Sequence, residues 1–510
     1  MNALKHLFCV ADICSQTAHN INFTKWKLEI IFMATSAGAS GASSKTEFDV
    51  IVIGAGPGGY VAAIRAAQLG ASAAVIEKQY IGGTCLNVGC IPSKALLHIA
   101  EEYSKFKDLD TLGIVAEPPK FDMVKAVAYK TKVVKQLTGG VAALLKANGV
   151  TTFNGAGRVD EPGKVIVTAQ NGAETTLRAK NIILAQGSVP IRPPFPGIDG
   201  KNVIFSTEAL ELTKVPDSLI CIGGGVIAVE FACLFNALGS KVTIVEMLPS
   251  MIAYEEPEIV KYLEKSLKKR GAQIHLNTKV EAIADTPEGK VVTATGPNGP
   301  MSFTGEYVLV AVGRTANPEG IQGLIQHGLQ MDRNKVVVDD HMRTNIPGIY
   351  AIGDLSGKTQ LAHTAMTEGE IAAENCMGHD AVMDYTVIPR PVFTFPELAS
   401  VGLTEAQAKE KDPQAKVGTF PWAANGKALA SNDTEGMIKV ILGRYGEILG
   451  ASIAGPDAPN LIAEFALAMK GELTATEIIN TVHAHPTFSE ALREAVLAAE
   501  QRAVHIYQRK

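Results

Sequence analysis

Two strand–glycine loop–helix units, far apart in the chain, constrain the fold more than any other feature. The first runs from the apolar stretch Phe48–Ile53 through Gly54-Ala55-Gly56-Pro57-Gly58-Gly59 into an alanine-rich helix predicted to reach Leu69, then to a strand Ala73–Ile76 ending at Glu77. The second runs from Ser218–Ile222 through Gly223-Gly224-Gly225-Val226-Ile227-Ala228 into a helix predicted through Leu238, then to a strand Lys241–Val245 ending at Glu246. A lone GxGxxG is weak, because glycine-rich turns are common. Here each copy follows a strand, opens a helix and has an acid about 20 positions on, which argues against a merely packed βαβ unit. Gly54 permits the tight turn, Gly56 lets the backbone approach a pyrophosphate, and Gly59 lets helix and strand pack closely. The helix N-terminus offers free N–H groups to the phosphates, and Glu77 is placed to accept hydrogen bonds from a ribose. Gly223 and Gly225 repeat the pattern, with Ala228 as the accepted substitute for the third glycine. Glu246 suits a free 2′-hydroxyl and repels a 2′-phosphate, and Leu248-Pro249-Ser250 supplies no Arg or Lys. NAD is therefore expected in the second site rather than NADP. Two dinucleotides in one chain imply electron transfer between them.

At 510 residues the chain has room for three or four domains of about 150 residues. The expected division is 1–46 as a flexible N-terminal extension, 47–190 and 191–316 as two Rossmann-like α/β domains, 317–388 as a central region, and 389–510 as an α+β domain. Arg192-Pro193-Pro194-Phe195-Pro196-Gly197 reads as an interdomain crossing, since proline bars helix and inner strand alike. Tyr103–Leu145 shows helical spacing, and Thr344–Asp354 is a third landmark. A net charge of −5 gives no basic footprint for nucleic acid or an anionic membrane. The apolar run Leu28–Met33 falls far short of the roughly 20 residues of a membrane span. Seven cysteines are too few for a secreted disulfide framework, so a cytoplasmic location is expected. The mitochondrial matrix is the alternative if the leader is a transit peptide, although there is no arginine before Arg65. Ala34–Lys45 is small and polar, and Met33 offers an alternative start. Cys9 and Cys14 repeat the spacing of the cysteine pair described next, without its glycines.

That pair stands in Gly82-Gly83-Thr84-Cys85-Leu86-Asn87-Val88-Gly89-Cys90-Ile91-Pro92-Ser93-Lys94. Two cysteines at this spacing can bond if the chain curls, and Gly89 helps it to. Pro92 suits a first helical turn, which sets Cys90 near a positive dipole end that favours a thiolate. Lys94 lies one turn on, on the same face. A zinc site would need further ligands, and no second CxxC or nearby His pair exists. A buried inert pair is the other alternative, and the glycine-rich setting argues against it.

The segment resembles the pyridine nucleotide–disulfide oxidoreductases, class I, and is similar to the branch of that family that oxidises dihydrolipoamide. The resemblance runs from about Glu47 to the C-terminus. It implies FAD in the first domain, NAD in the second, a central region that completes the FAD site, and a C-terminal dimerisation domain. Cys85 and Cys90 would be the redox-active pair. His483-Ala484-His485-Pro486-Thr487-Phe488-Ser489-Glu490 is similar to the family's acid–base motif, which makes His485 the base, Glu490 its orienting acid and His483 structural. Glu230 matches the acid that pairs with the flavin-side Lys94. Gly157, Gln186, Gly187, Ser188, Asp354 and the segment Leu361-Ala362-His363 would line the flavin, and Val280 and Gly313 the NAD. The partners implied are a second copy of the chain and the lipoyl domains of 2-oxoacid dehydrogenase or glycine cleavage complexes. Gln186 departs from the family's usual Thr, Thr364 from its frequent Lys, and Ala228 from glycine. Glutathione reductases, mercuric reductases and a non-catalytic scaffold subunit are the competing readings. The first lacks its NADP-binding arginines here, the second its terminal cysteine pair, and the third would have lost a redox residue.

Overall fold

The first strand shows no polar–apolar alternation because both of its faces are covered, as in a parallel sheet flanked by helices. In the computed structural model, which describes residues 45–508 apart from 107, 108, 110, 111, 116 and 118, this strand is β1 (Glu47–Ile53). The predicted leader and the Cys9–Cys14 pair lie outside the described residues. Then follow α1 (Pro57–Gln68), β2 (Ala73–Glu77), α2 (Gly83–Val88), α3 (Cys90–Lys105) and α4 (Met123–Ala147). Next come β3 (Thr151–Asn154), β4 (Ala156–Glu161), β5 (Lys164–Thr168) and β6 (Glu174–Leu184). Their sheet has the order β3-β2-β1-β6-β5-β4, with β1 parallel to both β2 and β6. The predicted loop, helix and strand of this unit match the observed elements to within a residue or two.

The helical spacing over Tyr103–Leu145 falls on two helices, α3 and α4, with a break between them. Asp122 starts α4 as its N-cap, its carboxylate accepting the Lys125 N–H at 3.1 Å. The chain between them includes Glu117-Pro118-Pro119, where proline forbids helical continuation.

A second parallel sheet forms from β7 (Val203–Ile204), β8 (Ser218–Ile222), β9 (Lys241–Val245) and β10 (Gln273–His275). Helix α5 (Val226–Ala237) follows β8, and α6 (Pro257–Lys269) precedes β10. A three-stranded antiparallel meander, β11 (Lys279–Thr286), β12 (Gly289–Gly296) and β13 (Gly299–Gly305), leads to β14 (Tyr307–Val310). The sheet order is β10-β9-β8-β14-β7. Helix α5 is buried almost throughout, from Ala228 to Ala237, as its unbroken apolar sequence requires. The chain then returns to the first sheet. Strand β15 (Ile349–Ala351) pairs parallel with β6 and delivers Gly353-Asp354 to the carboxyl end of that sheet, and α7 (Ala362–Cys376) packs on α1.

The C-terminal unit is an antiparallel sheet with helices on it. Its strands are β16 (Arg390–Val392), β17 (Leu398–Gly402), β18 (Lys416–Pro421), β19 (Met437–Leu442) and β20 (Ile448–Ala454), in the order β16-β17-β20-β19-β18. Helices α8 (Glu405–Lys411), α9 (Ala458–Lys470) and α10 (Glu490–Ala499) belong to the same unit. Buried polar contacts fasten this sheet to the second parallel unit. Lys439 of β19, 2% exposed, donates to Glu256 at 3.0 Å, to Glu258 at 3.1 Å and to Glu405 at 2.6 Å. The Glu255 carboxylate takes Arg390 Nε at 3.0 Å and the Ser400 hydroxyl. A buried charge is tolerable only when paired and hydrogen-bonded in this way.

Candidate active site

A cleft of about 2680 Å³ opens at the carboxyl ends of both parallel sheets, where such sheets bind ligands, and both glycine loops line it. In the first loop a methyl at Gly59 would overlap the Gly54 carbonyl oxygen, so only glycine fits beneath the turn. A side chain at Gly56 would instead project into free space, its nearest neighbour being Gly83 Cα at 4.0 Å, and at Gly225 it would meet nothing within 4 Å. Those two openings are where a pyrophosphate would lie against the backbone. Ala228 stands at the Gly59 position of the second loop. It is fully buried behind the turn and does not line the cleft, so its methyl is accommodated by packing.

The acids at the strand ends have the same arrangement in both sites. Glu77 accepts the Ala55 N–H at 2.7 Å on one oxygen and the Gln79 N–H at 2.8 Å on the other. Glu246 accepts the Gly224 N–H on one oxygen and the Leu248 N–H at 2.7 Å on the other. Each carboxylate therefore ties its glycine loop to the end of the second strand and keeps lone pairs for a ribose in the cleft. The residues present fit two dinucleotides. Glu246→Arg is expected to raise the KM for NAD at least about tenfold and to improve NADP, since a repelled phosphate becomes a paired one. The same substitution leaves the Gly224 N–H without its acceptor, so the ligand-free protein should also melt earlier. A wild type that already turns over faster with NADP contradicts the assignment.

Between the two loops lies the cysteine segment. Gly83, at the start of α2, abuts Gly56, which pins the segment to the first glycine loop. Asn87 holds the turn, its amide donating to the carbonyls of Ile81 at 3.0 Å and Gly83 at 2.9 Å. Cys85 sits in α2 and Cys90 is the first residue of α3, with the predicted helix start confirmed. Cys90 is reached from the cleft although protein surrounds it on the other sides, the position of a group that a bound molecule would cover.

The two sulfurs differ sharply. Cys90 accepts a hydrogen bond from Cys85 and lies near the Lys94 ammonium, which together overcome burial and lower its thiol to about 7. Cys85 is pushed far up by donating that bond and by burial. Lys94 Nζ contacts both oxygens of Glu230, at 2.9 and 2.7 Å, on the buried face of α5. Such a pair holds an ammonium close to a thiolate without leaving either charge unmatched.

Gly157, Gln186, Gly187, Ser188, Leu361, Ala362 and His363 line the cleft, as do Val280 and Gly313 on the second side. Asp354 lines it too. Burial raises its carboxyl, against the opposing pull of the Ser188 hydroxyl and Arg314. Arg314, adjacent to Gly313, donates to Ser188 Oγ and to its carbonyl, both at 2.7 Å, and is a contact the sequence reading missed. So is Glu368, fully buried, which accepts the Gly353 N–H at 2.5 Å and the Tyr385 hydroxyl at 2.7 Å and so fixes the turn that carries Asp354. Gln186 Oε1 and Thr364 Oγ1, at two departures from the family pattern, are buried without a protein partner.

His485 and Glu490 are joined to each other but not to the cleft. His485 Nδ1 lies 2.9 Å from Glu490 Oε1, and the Thr487 N–H donates to the other oxygen at 2.8 Å. Burial raises the Glu490 carboxyl, but those two bonds outweigh it and hold the group below its usual range. The His485 side chain is 78% exposed, and neither residue lines the cleft. His483, by contrast, is covered and bonded to Glu464 at 2.9 Å, as expected of a structural histidine.

A close cysteine pair placed between two dinucleotide-fitting cradles is the arrangement expected of a disulfide oxidoreductase that uses two dinucleotides. Residues 48–369 match the family described as pyridine nucleotide-disulphide oxidoreductase, and residues 388–496 match its dimerisation domain. The chain belongs to the pyridine nucleotide–disulphide oxidoreductase family. It is 44% identical over 463 residues to a dihydrolipoyl dehydrogenase of Bacillus subtilis, covering 90% of this chain and 98% of that one. It is 42% identical over 462 residues to a dihydrolipoyl dehydrogenase of Geobacillus stearothermophilus, with the same coverage. Among solved structures, LpdA of Mycobacterium tuberculosis superposes with a TM-score of 0.82 at 28% identity, over 88% of this chain and 99% of that one. The HOCl-induced flavoprotein disulfide reductase RclA of Escherichia coli does so with a TM-score of 0.78 at 28% identity, with the same coverage. Among the described residues, no helix is long and apolar enough to cross a membrane.

Proposed function

We propose that this enzyme is a dihydrolipoyl dehydrogenase, oxidising the dihydrolipoyl group of a lipoyl-bearing protein and reducing NAD. The observation that carries this reading is the unequal cysteine pair at the junction of the two dinucleotide cradles, with Glu246 selecting the second nucleotide. In the oxidised enzyme a substrate thiol gives its proton to His485, and the resulting thiolate attacks the Cys85 sulfur. The Cys85–Cys90 bond breaks and Cys90 leaves as the thiolate that Lys94 stabilises, while Cys85 is held in a mixed disulfide with the substrate. The second substrate thiol attacks the substrate sulfur of the mixed disulfide as its proton passes to the departing Cys85 sulfur. Cys85 is expelled as a thiol carrying that proton, so the substrate departs as a cyclic disulfide and the enzyme holds both electrons in the Cys85 thiol and Cys90 thiolate, with the first proton on His485. FAD and NAD, when bound through Gly54–Gly59, Glu77 and Asp354 and through Gly223–Gly225 and Glu246, supply the two-electron chemistry that returns the dithiol to the disulfide.

His485 acts on a second copy of the chain in this reading. Its exposure, its separation from the cleft and the matched dimerisation domain support a twofold dimer in which each site takes its base from the other protomer. Dihydrolipoamide with NAD, glutathione disulfide with NADPH and Hg(II) with NADPH, assayed side by side, test the substrate. Turnover is expected with the first, and faster turnover with either of the others refutes it. The lipoyl-bearing partner belongs to a 2-oxoacid dehydrogenase or glycine cleavage complex.

A further inference from the structure

The C-terminal unit touches the redox centre through a residue to which no role has so far been given. Phe393 follows β16 directly and lines the cleft. Its backbone N–H donates to Glu230 Oε1 at 3.1 Å, and its ring lies 4.7 Å from Lys94 Nζ. Glu230, 5% exposed, therefore takes both Lys94 and a backbone donor from another unit. The ring covers part of an ammonium that Glu230 already holds, on the side that faces the cleft. Phe393 is not a loose flap, because Glu255 grips Arg390 on one side of it and Ser400 on the other.

We propose that Phe393 is a positioning residue for the redox pair: its N–H fixes Glu230 and its ring holds the Lys94 ammonium beside Cys90. The C-terminal unit then governs how readily Cys90 exists as a thiolate. This rests on the proposed role of Cys90. An aromatic face stabilises a partly desolvated ammonium, and its loss lets Lys94 swing or hydrate, which weakens the field at the sulfur. The other groups that act on the pair are Tyr60 of α1, Arg314, and Asp354, with Tyr254 facing Glu230. Phe393→Leu alters none of them.

The test is the pH dependence of the long-wavelength thiolate–flavin absorbance in the two-electron-reduced, full-length holoenzyme, whose midpoint reports the Cys90 thiol. Phe393→Leu keeps the apolar bulk and the N–H but removes the π face. It is expected to raise the midpoint by about half to one pH unit. Phe393→Tyr should restore the wild-type midpoint, and Phe393→Met should move it in the same direction as Leu if the Leu variant is poorly folded. In a Lys94→Met background, Phe393→Leu should add no further shift, because the ring acts through the ammonium. An unshifted midpoint in Phe393→Leu overturns the proposal, as does an equal shift with and without Lys94. A wild-type midpoint at the ordinary thiol value instead removes the thiolate role of Cys90, and this proposal with it.

Discussion

Cys90→Ser is expected to lower dihydrolipoamide oxidation at least about 1000-fold while leaving the fold and both dinucleotide sites intact. Cys90 is the group that must leave as an anion when the disulfide opens, with Lys94 offsetting its charge; once Cys85 is a thiol again, its hydrogen bond and the ammonium together lower Cys90 to about 7. A serine hydroxyl forms no disulfide and stays protonated in the same field, so exchange has neither a bond to break nor a leaving group. The side chain is nearly isosteric, which keeps the start of α3 unchanged. Two measurements separate chemistry from folding. Steady-state turnover should fall to background, and the long-wavelength thiolate–flavin absorbance of the two-electron-reduced enzyme should vanish while bound flavin remains. Cys85→Ser should also lose turnover but keep a thiolate at Cys90. Persistence of the band in Cys90→Ser would show that a different sulfur faces the flavin.

His485→Gln should cost about 100- to 10,000-fold in turnover, the usual range for a positioned proton acceptor. The glutamine amide can still reach Glu490, so the loop should keep its shape while losing its base. The more revealing experiment mixes two inactive chains. In a dimer of Cys85→Ser with His485→Gln, one site carries both defects and the other carries neither. Purified heterodimers should therefore recover about half of the wild-type activity. Heterodimers no more active than either parent would refute a shared site, even if the protein proved dimeric.

Much of this was readable from local pattern. The glycine loops announce themselves because a tight turn, a phosphate approach and a helix start each demand a residue type at a fixed offset. Cys85, Gly89, Cys90 and Lys94 likewise lie within a few residues of one another, so spacing alone brings them to one place. His485 and Glu490 were legible as a pair for the same reason, five residues apart. Their distance from the cleft is encoded by no offset; only the family resemblance, which assigns the pair to the neighbouring copy of the chain, pointed to it. Arg314, Glu368 and Phe393 were missed because their partners lie at Ser188, Gly353 and Glu230. Two of those three contacts join different units, and an arginine after a glycine or a phenylalanine before a threonine carries no signal of its own. The break between α3 and α4 was concealed by apolar spacing that ran on across it, although Asp122 and the paired prolines marked it.

The cluster around Lys439 bears on how nucleotide reaches the enzyme. Swinging the second dinucleotide unit away from the C-terminal sheet would strip Lys439 from Glu256 and Glu258, and Glu255 from Arg390 and Ser400. Opening would have to part all of these contacts at once, leaving Lys439 with Glu405 alone, so the seam is expected to stay closed as nucleotide binds. Arrival of NAD should be a single bimolecular encounter, with an observed rate that climbs in proportion to concentration and reaches no plateau set by a prior opening.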